Sequence, residues 1–234
     1  MEMLTRVLEP EVMDTVDEAV DYDTMDHVEV NRRFVDDFLT ALAAAELGKG
    51  PAACRVLDLG TGTAQIPIEL VRQARKRKSV ERLEIAAVDL AAEMLVVAKR
   101  NVAAAGMLDV IRLERLDAKT LPYPPNRFTA LISNSIVHHI PEPAEALAEA
   151  VRVTAVGGLL FVRDLFRPAT EDELAQLVER YTGGETASQR QLFAQSLRAA
   201  LTVDEMRDLV KSLGLEPATV TATSDRHWTW SARK

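Results

Sequence analysis

Three carboxylates close three short apolar runs in the first half of this 234-residue chain. Asp58 stands in Val56-Leu57-Asp58-Leu59, Asp89 ends Ala86-Ala87-Val88-Asp89, and Asp117 follows Arg115-Leu116. The first run passes straight into Gly60-Thr61-Gly62-Thr63 and then a helical pattern from Ala64. A strand, a glycine turn and a helix N-terminus make a site for an anionic group. An acid immediately before the first glycine is awkward for a phosphate. Asp89 can accept from both hydroxyls of a ribose lying across a sheet edge, and Asp117 from the exocyclic amine of a purine. A fourth run, Phe128–Asn134, ends at Ser133-Asn134-Ser135, with His138 and His139 just beyond, and a fifth ends at Asp164. His139, His138 and Asp164 are the candidates for a general base. The plainer reading of the histidine pair is that one of them caps the turn at Pro141.

Simple alternatives for the glycine turn fail on spacing. A dinucleotide fingerprint needs a third glycine where Gln65 stands, and an acid nearer than Asp89. There is no Gly-Lys-Ser/Thr, which excludes a nucleotide-triphosphate loop. No ligand spacing among His138, His139, His227 and the acids supports a metal site, so none is expected. Cys54 is the only cysteine; it reads as a small core residue and leaves no internal disulfide.

The elements that must hold these residues alternate. Strands are expected at Arg55–Leu59, Leu83–Leu90, Val110–Leu116, Phe128–Asn134 and Gly158–Asp164, each near-continuously apolar as in parallel strands covered on both faces. Helices are expected near 64–78, 91–105 and 142–155, the second ending at Gly106. Thr170 and Thr202 open capping boxes, and Gly183-Gly184 breaks a helical pair inserted at about 167–200. Alternation over 216–223 and 227–232, around Ser224-Asp225-Arg226, predicts a hairpin. The expected fold is a doubly wound, Rossmann-like α/β sheet of seven strands, mostly parallel, with an antiparallel C-terminal edge. Residues 1–50, ending at Gly48-Lys49-Gly50-Pro51, read as an N-terminal helical lid, and 51–234 as the main domain.

Composition limits the partners. A formal net charge of −8 argues against nucleic acid. No apolar run reaches the ~20 residues that span a bilayer, and residues 1–20 lack a signal-peptide core, so a cytoplasmic location is expected. Oligomeric state is not legible.

Taken together, the motifs resemble those of class I S-adenosylmethionine-dependent methyltransferases, in the small-molecule branch that includes ubiquinone/menaquinone-biosynthesis methyltransferases. Val56 to Thr63 resembles their first motif, Ala87-Val88-Asp89-Leu90 with Met94 the second, Asp117-Ala118 with Leu121-Pro122 the third, and Phe128 to His139 the fourth. Val156-Gly157-Gly158 stands where the family has Pro-Gly-Gly. The resemblance implies S-adenosylmethionine as cofactor, held by Tyr22, Asp58, Gly60, Thr61, Gly62, Asp89, Leu90, Met94, Asp117, Ala118, Asn134 and Ser135. Asp58 would face the ammonium, and the helix start the carboxylate. It further implies in-line methyl transfer to a neutral or apolar small molecule. Phe34 and Phe38, four apart, read as core; Phe166, Tyr181, Phe193, Trp228 and Trp230 are candidates for a substrate wall. Two other readings stay open: a non-catalytic binder of the same cofactor, and a nicotinamide-dependent oxidoreductase.

Overall fold

Helix boundaries follow local chemistry closely. A computed structural model describes residues 4–10, 12, 14–25, 27–50, 52–184 and 186–234; Pro51, the end of the expected linker, and residues 1–3 lie outside them. The Thr15 side chain caps α1 (Val16–Thr24) in a capping box with Glu18. Helix α2 (Val28–Ala44) buries Phe34, Val35, Phe38, Leu39 and Leu42, an i, i+4, i+8 stripe with its flanks. Helix α3 (Gln65–Arg77) ends in Arg75, Lys76 and Arg77, where cations favour the helix dipole. Helix α4 (Ala92–Ala104) stops before Gly106, whose φ of +66° is the left-handed cap expected there. Helix α5 (Pro143–Val153) follows, then α6 (Glu171–Thr182), α7 (Ala187–Ala199) and α8 (Val203–Ser212). Thr170, Thr186 and Thr202 cap these last three.

The strands are β1 (Cys54–Leu59), β2 (Leu83–Asp89), β3 (Ile111–Arg115), β4 (Phe128–Asn134), β5 (Thr154–Leu165), β6 (Val220–Ala222) and β7 (His227–Arg233). They hydrogen-bond in the order β3-β2-β1-β4-β5-β7-β6. Strands β1 to β4 are parallel, and β6 pairs antiparallel with β7. The sheet is the doubly wound one expected, hairpin included. Strand β5 differs from expectation: it begins at Thr154 rather than Gly158 and runs through the glycine pair. Gly157, at φ +76°, donates to the Lys234 carbonyl, and Lys234 N donates to Gly158 O, so pairing continues through the bend.

The chain forms two compact units. The larger comprises Val12–Asn134, Glu145–Val162 and Ser231–Lys234; the smaller comprises Met1–Glu11, Ser135–Ala144 and Arg163–Trp230. In the larger unit, Phe34 and Phe38 meet Phe161 edge to face at 5.3 and 5.8 Å, above a floor that includes Val56, Ile85 and Ile132. Burying each ring contributes about 2–3 kcal/mol. In the smaller unit, Leu165, Leu174, Leu177, Leu197 and Ala200 form a separate cluster. Arg167 Nε, Nη1 and Nη2 reach the Leu4 carbonyl, the Ala200 carbonyl and Glu205 at 2.9, 2.7 and 2.6 Å. Arg6 bonds the carbonyls of Ala199, Ile140 and Pro141. Backbone that would otherwise carry unpaired carbonyls is satisfied by these two guanidinium groups.

Candidate functional site

The parallel register places Asp58 between Ala87 of β2 and Ile132 of β4, near the carboxyl edge of the larger unit's sheet. Its side chain is 2% exposed, and Oδ2 has no hydrogen-bond partner among the described residues. Burial pushes its carboxyl up to about 7, the Thr61 hydroxyl draws it down, and Asp89 pushes it up again. The chain then turns through Gly60 at φ +77° and Gly62 at +53°. The amides of Gly60 and Thr61 donate to Val88 O, tying the turn to β2. Ala64, also left-handed at φ +63°, starts α3 with no side-chain cap, leaving the helix's first amides without one. Pro67 falls in that first turn, where its missing donor costs little. Thr63 Oγ1 is a second buried oxygen with no hydrogen-bond partner among the described residues.

Asp89 locks the turn. Its Oδ2 accepts from Gly62 N at 2.7 Å and its Oδ1 from Ala91 N at 2.9 Å. Burial raises its pKa against these amide bonds, with Asp14 adding to the rise. Leu90 follows it, half-buried. Met94 is 5% exposed and packs in a cluster with Ala19, Ala91 and Val97, against which Tyr22 lies. Asp117 accepts from Lys119 N at 2.9 Å and lies 3.2 Å from Lys119 Nζ. It thus shapes its own turn, with Ala118 half-buried inside it. Asn134 ends β4.

Helix α1 brings Tyr22 to the glycine turn. A Cβ at Gly62 would stand 3.6 Å from Tyr22 Cε1. The Tyr22 phenol is pushed up to about 12 by burial and by the charges of Asp89, Asp58 and Asp23. Neighbouring Asp23 is a bracket between helices. It accepts from Asn101 Nδ2 at 2.8 Å and from Gln65 Nε2 at 3.2 Å, and Gln65 Oε1 accepts from Asn31 Nδ2. Gln65, which stands in place of a third glycine, therefore fastens α1 and α2 to the start of α3. Asp14 is a second such residue, accepting from Glu93 N at the start of α4. Phe34 and Phe38 are core, as expected.

The smaller unit gathers a different set. Ser135, at φ +59°, donates its amide to Arg163 O. A 3-10 turn over Val137–His139 follows. His138 Nδ1 lies 2.5 Å from Asp164 Oδ1, and His138 N donates to Asp164 Oδ2. Burial works against the charge on His138, but Asp164 and Glu9 outweigh it and raise its pKa. Burial also opposes charge on Asp164, which His138 and two backbone amides hold below its ordinary value. Burial and the neighbouring His138 push His139 down to about 4, leaving it neutral. Glu9 joins both histidines: Oε1 lies 3.4 Å from His138 Nε2 and 3.1 Å from His139 Nδ1. No local sequence signal pointed to Glu9. His227 Nδ1 lies 2.9 Å from Ser224 Oγ.

The aromatic candidates of this unit are used unequally. Tyr181 donates to Asp225 at 2.7 Å beneath the Arg226 guanidinium, 3.4 Å from the ring centroid, and Phe193 meets it at 6.4 Å. Trp228 and Trp230 are fully buried, and neither indole N–H has a hydrogen-bond partner among the described residues. Phe166 is half-buried.

Comparison with known proteins identifies the scaffold. The model of a methyltransferase domain matches residues 57–162. The demethylmenaquinone methyltransferase of Deinococcus radiodurans is 34% identical over 130 residues, 56% of this chain and 50% of that protein. The phosphatidylethanolamine N-methyltransferase of Cereibacter sphaeroides is 28% identical over 113 residues, 48% of this chain and 51% of that one. These matches span about half the length of the curated relatives. The crystal structure of a SAM dependent methyltransferase from Aquifex aeolicus superposes with a TM-score of 0.62 at 16% identity, over 93% of this chain and 97% of that one. The stretch that matches the methyltransferase-domain model, residues 57–162, holds the Asp58 strand end, the glycine turn and Asp89, and in it this chain is similar to those methyltransferases.

Proposed function

We propose that this chain transfers a methyl group from S-adenosylmethionine to a small-molecule acceptor. One observation carries the reading: a fully buried carboxylate, Asp58, keeps an oxygen without a partner beside a turn that only left-handed backbone can make. A buried anion in that state is costly unless a cation completes it, and the cofactor's ammonium is such a cation. The uncapped start of α3 fits the carboxylate of the same amino-acid moiety. Asp89 spends one acceptor site of each oxygen on Gly62 and Ala91. A carboxylate has about four such sites, so it can still take the ribose hydroxyls. Asp117 would take the purine amine and Tyr22 would close over the turn, with Thr61, Leu90, Met94, Ala118, Asn134 and Ser135 completing the proposed binding set.

When bound, the cofactor supplies a methyl on a sulfonium, a leaving group that needs no acid. The chain's own task is to align the acceptor and exclude water. A base is required only where the acceptor must lose a proton, and His138, His139 and Asp164 are the proposed groups for it. For the acceptor we propose a molecule with a substantial apolar part. Relatives are named for demethylmenaquinone and phosphatidylethanolamine. We further propose that residues 1–50 act as a lid, that 51–234 is the cofactor-binding domain with a helical insertion at about 167–200, and that the protein works in the cytoplasm. No described helix is long and apolar enough to cross a membrane.

The test is calorimetric titration with S-adenosylmethionine and S-adenosylhomocysteine, followed by transfer of labelled methyl to quinol and lipid pools. Folded protein that binds neither ligand defeats the reading; binding without transfer to any pool defeats the catalytic part alone.

A further inference from the structure

The smaller unit brings Glu9, which the methyl-transfer reading leaves unused, onto the two histidines that end the fourth motif. Glu9, His138 and His139 bring one ligand atom each within 4.8 Å of one another. One glutamate oxygen, Oε1, stands 3.4 Å from His138 Nε2 and 3.1 Å from His139 Nδ1. Ligands around a tetrahedral ion, with bonds near 2.0–2.1 Å, lie about 3.3 Å apart, so both glutamate–imidazole spacings are those of a shared centre. His139 Nδ1 is buried and, although close to Glu9, makes no hydrogen bond among the described residues. His138 is oriented as a ligand would be: Asp164 holds its Nδ1 at 2.5 Å, turning Nε2 toward Glu9. This carboxylate–histidine arrangement is the usual support behind a metal-binding imidazole. The Ser196 hydroxyl, 3.3 Å from both Glu9 oxygens, steadies the third donor.

Charge is compatible. With neutral imidazoles, Glu9 and Asp164 bring two negative charges. Arg6 brings one positive charge, engaged with the Ala199, Ile140 and Pro141 carbonyls. We propose that Glu9 Oε1, His138 Nε2 and His139 Nδ1 bind a divalent first-row transition ion, leaving its fourth position open to water or a ligand oxygen. An N2O set of this kind suits zinc or cobalt better than magnesium or calcium, which favour all-oxygen shells. The donors all lie in the smaller unit, so the inference stands whether or not the methyl-transfer reading holds.

The experiment titrates the full chain, stripped with chelator and dialysed, with Co2+ and then Zn2+. It is read by visible absorption and calorimetry, with circular dichroism to confirm the fold. The expected result is one ion per chain at micromolar affinity or tighter, with the intense visible bands of tetrahedral Co2+ lost as Zn2+ displaces it. E9Q, which preserves shape, and His139→Ala should each weaken binding at least tenfold, and His227→Ala should leave it unchanged. Asp164→Asn should weaken binding about 10–100-fold while the Co2+ spectrum keeps its form, as expected of a positioning residue. Folded chain that binds neither ion below millimolar concentration overturns the proposal. So does binding that survives both E9Q and His139→Ala.

Discussion

Replacing Asp58 with asparagine should make the ligand-free protein more stable and the cofactor site useless. Its carboxyl is pushed from an ordinary 3.8 up to about 7, a gap equivalent to about 4 kcal/mol at about 1.4 kcal/mol for each tenfold. The folded pKa lies above the unfolded one, so the unfolded chain gives up this proton first. The contribution to stability is therefore intact below about pH 4, falls as pH rises from about 4 to about 7, and stays lost above that. Asparagine cannot ionise, but it leaves an amide unpaired at a cost of about 1 kcal/mol. Urea unfolding followed by far-UV circular dichroism should show the variant gaining about 2.6 kcal/mol on the wild type between pH 5 and pH 8. S-adenosylhomocysteine should behave in the opposite sense. Its binding ionises Asp58, so calorimetry in buffers of different ionisation enthalpy should record release of about 0.9 proton at pH 6 and about 0.1 at pH 8. The asparagine variant should bind at least about 100-fold more weakly, as for loss of one partner from a buried charge pair. A stability difference that ignores pH, or cofactor binding with no proton release at pH 6, refutes the assignment.

Three further substitutions separate scaffold from site. At Gly158 a methyl would stand 2.8 Å from the backbone oxygens of both Ala155 and Thr129, whereas at Gly62 it would meet only Tyr22 at 3.6 Å. Gly158→Ala should cost about 3 kcal/mol or more in urea unfolding, and Gly62→Ala about 1 kcal/mol from its left-handed backbone. In cofactor titrations the order should reverse, with Gly62→Ala the more damaging. Gln65→Ala removes the bridge to Asp23 and Asn31. It should speed hydrogen exchange across Val16–Thr24 about tenfold, a loss of about 1–2 kcal/mol, with β1 unchanged. Arg167→Lys breaks a three-way fork at a site 7% exposed. It should destabilise by about 2 kcal/mol and open residues 4–10 to limited proteolysis; an unchanged digestion pattern would count against the stitching role.

Legibility in the sequence followed the range of the interactions. Strands β1 to β4 and helices α3 to α5 fall within two residues of expectation, because apolar runs and caps are local signals. The start of β5 was misplaced for a non-local reason. Val156-Gly157-Gly158 has the composition of a turn, but Gly157 and Gly158 exchange hydrogen bonds with Lys234 at the far end of the chain. Gln65 was read only as a missing glycine, since the partners that give it a purpose lie in α1 and α2. Strand-end acids are the intermediate case. In a parallel sheet every strand's carboxyl end falls on one edge, so sequence position alone brings Asp58, Asp89 and Asp117 to that edge. Glu9 has no such rule behind it. It lies 129 residues from His138 in sequence, in a segment without regular structure that two arginines hold in place.

The residues from Asp58 to Ala64 depart from ordinary folding preferences more than any stretch of comparable length described above. A carboxylate is buried with an oxygen unpaired, two glycines are left-handed, and an alanine adopts a conformation that costs it about 1 kcal/mol. The alanine has a local reason. Its methyl is fully buried in the core cluster, and burying one such group returns about 0.8 kcal/mol, so strain and packing nearly cancel. The glycines have one too, since their amides must turn onto Val88 and Asp89. Asp58 has none within the protein. An asparagine would satisfy the same backbone at lower cost above neutral pH, and a valine would pack. A feature that the rest of the fold fails to repay is the kind expected where a ligand completes the structure. That is why the proton count on cofactor binding, rather than activity alone, is the sharper measure of what Asp58 is for.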